Sequence, residues 1–268
     1  MTASAHRSGV PSPPPVEAGD GALYSVILAA GPATRMRPLS YFLPKILLPV
    51  RGRPVLEYLK GCFSKVPISC HDVIVSEHRE TVELYLEGAG VKDVKVVSGL
   101  GWETGGDLAL ALEQIRPDVD IVVANGDIVT DVDVSEIVRF HRRRRPLVTM
   151  GAFELTDPEE VKRFGRLEVD ADGKVHRFVE KSAEAAKTPA FVNNGLYVFD
   201  RRLVGPGRAK YFVPHVFKLE VELFPRLASE GELYACRTTP TYWWDVGTMS
   251  SYLEAERFLT TTQSVIPP

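Results

Sequence analysis

Two cations follow a loop of small residues near the beginning of the chain, and this combination can bind a polyphosphate. The loop at 31–35 comes directly after an apolar run at 23–30; it ends in Arg35, and Lys45 stands a short way beyond it. Small residues let backbone N–H groups approach phosphate oxygens, while Arg offers a fork of donors and Lys a mobile point charge. The loop matches neither GxGxxG nor GxxxxGK[ST]. Taken alone, it is also compatible with an ordinary strand-to-helix loop that carries two surface cations.

Two acidic residues from distant parts of the chain are candidates for holding a divalent cation. Asp127 follows the apolar run 120–124, and Asp245 follows Trp243 and Trp244. Open α/β sheets bind ligands at the carboxyl ends of their strands, which is where Asp127 is expected. Mg²⁺ typically takes one or two carboxylates and completes its shell with phosphate and water. The plainer interpretations are a turn residue for Asp127 and a surface acid for Asp245.

Composition excludes several other classes of protein. The chain has 32 Lys and Arg against 35 Asp and Glu, and this negative balance disfavours a protein that wraps nucleic acid. The basic run 141–145 closes a predicted helix at 134–143, where cations complement the helix dipole. No apolar run reaches membrane-spanning length, and the first residues lack the apolar core of a secretory signal. Three cysteines without zinc spacing indicate reduced thiols and a cytoplasmic protein.

Strand and helix patterns alternate through the first half of the chain, which predicts βαβ units and a mostly parallel sheet. Apolar runs typical of buried strands lie at 23–30, 72–76, 93–97 and 120–124. Helical patterns lie at 54–64, 80–86 and 106–115. The second half reads as mixed α+β, with a hairpin at 166–169 and 174–180, strands at 191–199 and 232–237, and helices at 134–143, 215–228 and 250–259.

These patterns divide the chain into one domain and two tails. Residues 1–21 are rich in Ala, Ser, Pro and Gly, so they are expected to be disordered. The domain is expected at 22–262, with a first half at 22–130 and a second half at 131–262, and a short tail follows at 263–268. Whether the chain forms a homo-oligomer is left open.

The segment 27–49 resembles the signature of the sugar-1-phosphate nucleotidylyltransferases. That signature is a small-residue loop ending in Gly-Thr-Arg, then Pro-Leu-Thr, then Pro-Lys before an apolar strand. Further matches follow in the order that the family has them: Thr104-Gly105-Gly106, Asn125-Gly126-Asp127, Phe164-Gly165, Phe178-Val179-Glu180-Lys181, Asn193-Asn194-Gly195-Leu196-Tyr197 and Trp243-Trp244-Asp245-Val246-Gly247-Thr248. The motif forms are closest to those of mannose- and heptose-1-phosphate guanylyltransferases and glucose-1-phosphate thymidylyltransferases.

The resemblance implies a fold and a reaction. The fold is a Rossmann-like α/β nucleotide-diphospho-sugar transferase fold, with a mostly parallel, mixed central sheet and a smaller α+β sugar-binding part. The reaction transfers a nucleoside monophosphate from a nucleoside triphosphate to a sugar 1-phosphate, with Mg²⁺ as cofactor and no nucleic-acid or membrane partner. The attacking phosphate is already ionised, so no general base is required, and catalysis rests on positioning and charge neutralisation.

The resemblance also assigns roles to individual residues. Arg35, Lys45 and Lys181 would be catalytic, acting on the leaving pyrophosphate, the α-phosphate and the attacking phosphate respectively. The residues that would bind the nucleotide are Ala29, Ala30, Gly31, Ala33, Thr34, Glu103, Thr104 and Gly105. Those that would bind the sugar are Gly126, Gly165, Glu180 and Asn193. Asp127 and Asp245 would hold the Mg²⁺.

Some features depart from the family pattern or need a special geometry. Ala33 and Glu103 stand where the family usually has Gly, and Ala33 is expected at negative φ, which an alanine prefers. Glu180 and Lys181 are neighbours, so a bend is required if both reach one ligand; otherwise they form an exposed pair. Two alternatives therefore remain: a cytidylyltransferase for a non-sugar alcohol phosphate, and a non-catalytic regulator that binds a nucleotide sugar. Neither the base nor the sugar is decided.

Overall fold

The computed structural model describes residues 22–115, 119–181 and 188–261. The predicted tails at 1–21 and 263–268 lie outside the described residues. In chain order the strands are β1 Leu23–Leu28, β2 Pro49–Val50, β3 Arg53–Pro54, β4 Ile68–Val75, β5 Val94–Ser98, β6 Asp120–Asn125, β7 Ile128–Thr130, β8 Val148–Leu155, β9 Arg166–Val169, β10 Val175–Val179, β11 Ala190–Phe199, β12 Leu233–Arg237 and β13 Trp243–Asp245. The helices are α1 Val55–Phe63, α2 Arg79–Gly88, α3 Glu103–Leu112, α4 Val134–Arg144, α5 Pro158–Val161, α6 Arg201–Val204, α7 Arg208–Tyr211, α8 Phe224–Glu230 and α9 Met249–Thr261.

The largest sheet in the described part of the chain has the strand order β10-β9-β11-β6-β1-β4-β5. Strand β8 also pairs with β11, and β12 pairs with β8. Strands β6, β1, β4 and β5 run parallel to one another, whereas β11 is antiparallel to β6, β8 and β9. The predicted fold class, a mostly parallel central sheet with a mixed second half, is confirmed. The predicted hairpin is also present, as β9 and β10.

Strand β11 changes its pairing partner along its length, and this change leaves a gap in the sheet. Along the edge opposite β8, its first part pairs with β9 through Phe191 and Val192, and its last part pairs with β6 from Leu196 to Phe199. Its pairing with β8 is irregular between Asn193 and Tyr197. The residues of β11 between these two segments therefore pair with no described strand on the edge opposite β8.

The central strands are buried on both faces, as their apolar sequences predict. Successive residues point to opposite faces, so Ile27 of β1 enters one core and Val26 the other. Helices α1, α2, α4 and α9 cover the first core, and α3 and α8 cover the second. This double layer holds the carboxyl ends of β1 and β6 rigidly at one edge of the sheet.

Several predicted elements differ from the structure. The helix expected at 215–228 starts later than predicted: a π-helical turn at Leu219–Leu223 leads into α8, and the chain at 215–218 is not helical. Burial of Phe217 explains this, because its carbonyl accepts hydrogen bonds from the N–H groups of Gly105 and Gly106 and ties the segment to α3. Strand β8 was not predicted. Helix α3 begins at Glu103, three residues before its predicted start at 106.

Candidate active site

A cleft of about 260 Å³ lies at the carboxyl ends of β1 and β6. Most of the residues selected from the sequence line it, although they come from distant segments. These are Ala29, Gly31, Arg35, Lys45, Glu103, Thr104, Gly126, Asp127, Gly165, Glu180, Lys181, Asn193 and Asp245. Ala30, Ala33, Thr34 and Gly105 are not among the lining residues. The bend that Glu180 and Lys181 require is present, because β10 ends at Val179 and Lys181 has a φ of 29°.

The loop after β1 forms one wall of the cleft and ends in a short 3₁₀ turn over Thr34–Met36. The turn is closed by the Met36 N–H, which donates to the Ala33 carbonyl at 2.9 Å, and Met36 itself is fully buried. Ala33 has a φ of 47°, so the expectation of a negative φ is wrong. The left-handed conformation costs an alanine about 1–2 kcal/mol. The anchored Met36 and the closed turn hold Ala33 there, in a conformation that suits glycine.

Lys45 and Asp127 form an ion pair inside the cleft, with 2.5 Å between Nζ and Oδ2. Burial opposes the charge on Lys45, but Asp127 and then Asp245 outweigh it, and the pKa of Lys45 is raised. Burial likewise opposes the charge on Asp127, yet Lys45, Lys181 and Arg35 hold the pKa of its carboxyl below the usual value. The cleft therefore concentrates three cations around one ionised carboxylate, an arrangement suited to an anionic ligand.

Asp245 reaches the same cleft because its short strand pairs with the chain that follows Asp127. Strand β13 is antiparallel to β7, with Asp245 opposite Ile128, and the next residue, Val246, donates its N–H to the Asp127 carbonyl at 2.9 Å. Burial and the neighbouring Asp127 raise the pKa of the Asp245 carboxyl. Two carboxylates that repel each other in a partly desolvated cleft are the oxygen donors that a hard divalent cation such as Mg²⁺ prefers. The donor set thus fits the predicted cofactor.

Arg35 and Asp245 both line the cleft, and side-chain atoms of both lie close to Gly247. A methyl group placed on Gly247 would come within 2.6 Å of Asp245 Oδ1 and 3.3 Å of Arg35 Nη2. Gly247 also donates its N–H to Asp245 Oδ1 at 2.7 Å. A side chain at position 247 would therefore collide with the carboxylate, so Gly247 keeps the space between these groups open.

A second wall combines a carboxylate, an amide and close backbone contacts. Burial raises the pKa of the Glu180 carboxyl; Lys181 opposes this and Glu220 adds to it. Gly165 permits the close packing, since a methyl group there would lie 2.5 Å from Phe178 and 3.0 Å from Glu180 Oε2. Asn193 donates through Nδ2 to the Tyr197 hydroxyl at 2.7 Å, which fixes the amide at the cleft. Carboxylate and amide groups of this kind suit the hydroxyls of a sugar.

The end of the cleft near α3 contains two residues that the sequence interpretation missed, Lys218 and Glu220. Thr104 donates through Oγ1 to Glu220 Oε2 at 2.7 Å, and Lys218 Nζ lies 3.8 Å from Glu103 Oε2. Glu103 adopts a φ of 63°. No local signal identified Lys218 and Glu220, because their segment was interpreted as a regular helix and only its docking on α3 brings them to the cleft.

Gly105 supports this end of the cleft from below. Its N–H donates to the Phe217 carbonyl at 3.0 Å, and a methyl group on it would lie 2.2 Å from the Phe217 ring. Gly105 therefore fits beneath Phe217 instead of facing the cavity.

Comparisons with known proteins agree on the family. The sequence profile of a family described as Nucleotidyl transferase matches residues 24–262. The UTP–glucose-1-phosphate uridylyltransferase of Synechocystis sp. is 28% identical over 249 residues, which is 87% of this chain and 62% of that protein. The mannose-1-phosphate guanylyltransferase of Mycobacterium tuberculosis is 29% identical over 240 residues, which is 85% of this chain and 62% of that protein. The chain thus spans about three fifths of the length of these curated relatives.

Solved structures share the architecture. A Bacillus anthracis protein described as a candidate glucose-1-phosphate thymidylyltransferase superposes with a TM-score of 0.76 at 19% identity, covering 92% of this chain and 98% of that one. At this identity the likeness establishes the fold. Among the described helices, none combines the length and apolar character needed to cross a bilayer.

Proposed function

We propose, from the premise that this chain belongs to the nucleotidyl transferase family, that it joins a nucleoside triphosphate to a sugar 1-phosphate and releases pyrophosphate. The observation that carries the proposal is the convergence, in one cleft, of the loop after β1, the cations Arg35, Lys45 and Lys181, and the carboxylates Asp127 and Asp245. In this reaction an oxygen of the sugar phosphate forms a bond to the α-phosphorus of the triphosphate. The bond between that phosphorus and the oxygen bridging the α- and β-phosphates breaks, and pyrophosphate leaves.

The triphosphate would lie against the loop after β1. Arg35 would stabilise the charge that develops on the leaving pyrophosphate, because it lines the cleft together with Gly31 of this loop. Lys45 would neutralise the α-phosphate, exchanging its contact with Asp127 for a phosphate oxygen. Glu103 and Thr104 would contact the nucleoside from the start of α3, whereas Ala30, Ala33 and Gly105 would support the nucleotide site from behind it.

Asp127 and Asp245 would hold Mg²⁺, which neutralises charge on the triphosphate when it is bound. The proposal is supported by their shared cleft, by the rise that burial and Asp127 cause in the pKa of Asp245 and by an all-oxygen donor set. Lys45 and Lys181 add positive charge near Asp127 in the same cleft, so the chain's own residues supply part of the neutralisation.

The sugar phosphate would bind on the opposite side, with its phosphate on Lys181 and its hydroxyls on Glu180, Asn193 and Gly165. The phosphate nucleophile is ionised at neutral pH, so Lys181 need only position it in line with the bond that breaks. The presence of Glu180 and Asn193 at the cleft favours a sugar phosphate over a non-sugar alcohol phosphate. We retain the division into a nucleotide half at 22–130 and a sugar half at 131–262. A cytoplasmic location is supported by the three free cysteines.

Pyrophosphate release measured with ATP, GTP, CTP, UTP and dTTP, each paired with glucose, mannose or heptose 1-phosphate, tests the activity. We expect turnover with at least one pair, abolished when Mg²⁺ is chelated and retained by Glu168→Gln, which changes an exposed residue that pairs with Arg177 and does not line the cleft. Binding of a nucleotide sugar without turnover for any pair would support the regulatory alternative instead.

A further inference from the structure

Three side chains with metal-binding chemistry meet at the end of the sheet remote from the cleft. Asp120 is the first residue of β6, His141 belongs to the last turn of α4, and Asp200 follows β11. One ligand atom from each lies within 4.8 Å of those of the other two. Because β6 rises about 3.3 Å per residue, Asp120 is roughly 17 Å from Asn125 at the cleft end. The group is therefore separate from the site of the proposed reaction.

His141 presents an unused nitrogen to this group. Its side chain is 2% exposed, and its Nδ1 lies 2.9 Å from the Thr149 hydroxyl. Its Nε2 is buried without a hydrogen-bond partner and lies 3.8 Å from Asp200 Oδ2. Buried polar atoms in folded proteins are nearly always paired, so this nitrogen marks a place for a ligand.

The two carboxylates are held in place by backbone hydrogen bonds. Asp120 Oδ1 accepts from the N–H of Arg201 at 2.9 Å, and Asp200 Oδ1 accepts from the N–H of Arg202 at 2.8 Å. Both acidic side chains are nearly buried, at 10% and 13% exposed. The carboxyl end of α4 adds the negative pole of the helix dipole, which favours a cation.

Arginine side chains compete with a metal ion at this position. The guanidinium of Arg202 pairs with Asp200 at 2.8 Å, and that of Arg201 lies 3.5 Å from Asp120. Both side chains are about half exposed and border a cavity of about 720 Å³, so they can withdraw toward solvent. His141 has no such freedom, because its side chain is buried, and its Nε2 stays beside the two carboxylates without a hydrogen-bond partner.

We propose that Asp120, His141 and Asp200 bind a divalent transition metal ion of the zinc type, through Nε2 and one oxygen of each carboxylate. One imidazole with two carboxylates matches zinc better than magnesium, which prefers oxygen alone. Tetrahedral zinc places its ligand atoms about 3.4 Å apart, and the three ligand atoms lie within 4.8 Å of one another, so the most distant pair closes by at most about 1.4 Å on binding. Thr149 orients the imidazole through Nδ1, as hydrogen-bond partners of metal-binding histidines do. The ion ties β6, α4 and the start of α6 together.

Nuclear magnetic resonance of the metal-free, ¹⁵N-histidine-labelled full chain tests the site directly, with Zn²⁺ as the probe. We expect one equivalent of Zn²⁺ to shift the His141 Nε2 resonance, with saturating Mg²⁺ present to occupy the cleft. A hundredfold excess over Kd should raise the Tm by about 5 °C or more. No change in the His141 resonance would overturn the proposal, whatever the behaviour of any variant.

Variants locate the ion. His141→Gln and Asp200→Asn, the latter keeping a capping side chain on α6, should each weaken Zn²⁺ binding at least tenfold in a competition with a chromophoric chelator. Thr149→Val should weaken it about 10- to 100-fold. Two controls should keep wild-type affinity: His176→Gln, which removes an exposed histidine 3.1 Å from Asp170, and Asp127→Asn in the cleft. Loss of Zn²⁺ binding only in Asp127→Asn would place the ion in the cleft, and binding of inorganic phosphate but not Zn²⁺ would identify an arginine-lined anion site; either result contradicts the proposal.

Discussion

Lys45 Nζ lies 2.5 Å from Asp127 Oδ2 in the cleft. Lys45 is therefore the ion-pair partner of the carboxylate that we expect to hold Mg²⁺. Asp245 lies close enough to raise the pKa of Lys45, and Asp127 in turn adds to the rise that burial causes in the pKa of Asp245. Binding of a metal and a triphosphate would let Asp127 and Lys45 exchange partners. The two charges of this ion pair would then act on the metal and on the triphosphate in the proposed reaction.

We predict that Asp127→Asn and Asp245→Asn each reduce kcat by about two to three orders of magnitude and raise the Mg²⁺ concentration that gives half-maximal rate. The reason is that each variant removes one of two carboxylates around a single ion. The double variant should lose much less than the product of the single losses, because either change already damages the shared site. Pyrophosphate release across a Mg²⁺ titration measures this, with circular dichroism as the control for folding. Independent, multiplicative effects would argue against a shared ion.

Arg35→Ala should reduce kcat/KM by about two to four orders of magnitude while the fold survives, since a charge-assisted contact to phosphate is lost. Arg37→Ala is the matched control from the same loop: the Arg37 guanidinium lies over the Tyr41 ring, 5.0 Å from its centre, and Arg37 does not line the cleft. That control should lose less than about threefold. Equal losses in the two variants would contradict the role given to Arg35.

Glu180→Gln should stabilise the protein and weaken its use of the sugar phosphate. The pKa of the Glu180 carboxyl is raised by burial, with Lys181 opposing and Glu220 adding to the rise. When the pKa of a carboxyl is higher in the folded state than in the unfolded state, ionisation of that carboxyl at higher pH lowers the free energy of unfolding. This loss of stability disappears as the pH falls through the raised pKa toward the ordinary value of about 4.3.

The expected gain for Glu180→Gln at pH 7 is about 0.5–2 kcal/mol, with a higher KM for the sugar phosphate. Urea unfolding at pH 7 and at pH 4 measures the effect, and the gain should shrink at the lower pH. Glu168 is exposed and pairs with Arg177, so Glu168→Gln should change neither the free energy of unfolding nor the KM for the sugar phosphate. A loss of stability at pH 7 would show that the charged Glu180 is satisfied in the fold.

Gly105→Ala should destabilise the protein by about 1–3 kcal/mol, because its methyl group would meet the Phe217 ring at 2.2 Å. Displacing Phe217 would also move Lys218 and Glu220, so the KM for the nucleotide should rise. Gly61→Ala in α1 is the matched control, since nothing lies within 4 Å of the added methyl group, and it should stabilise by about 0.5–1 kcal/mol. Thermal unfolding and nucleotide titrations measure both. A neutral Gly105→Ala would contradict the support assigned to Phe217.

The part of the site that depends on local sequence was predictable. The apolar run of β1, the small-residue loop after it and the cations Arg35 and Lys45 follow one another in the chain, so their order alone indicated a phosphate-binding loop at the end of the strand. Asp127 was predictable for the same reason, because it follows a buried strand whose carboxyl end must face the ligand edge. The alternation of strands and helices likewise indicated the parallel half of the sheet.

Other features depended on contacts between distant segments. Asp245 reaches Asp127 because β13 pairs with β7. Lys218 and Glu220 enter the cleft because Phe217 docks on α3, which overrides the helical pattern at 215–228. The left-handed φ of Ala33 follows from the turn that the buried Met36 anchors. Local periodicity and motif order in the sequence were enough to indicate most of the elements and the chemistry that each carries. Which of those residues share a cleft was visible in the folded chain alone, because it depends on burial and on strand pairing between residues far apart in the sequence.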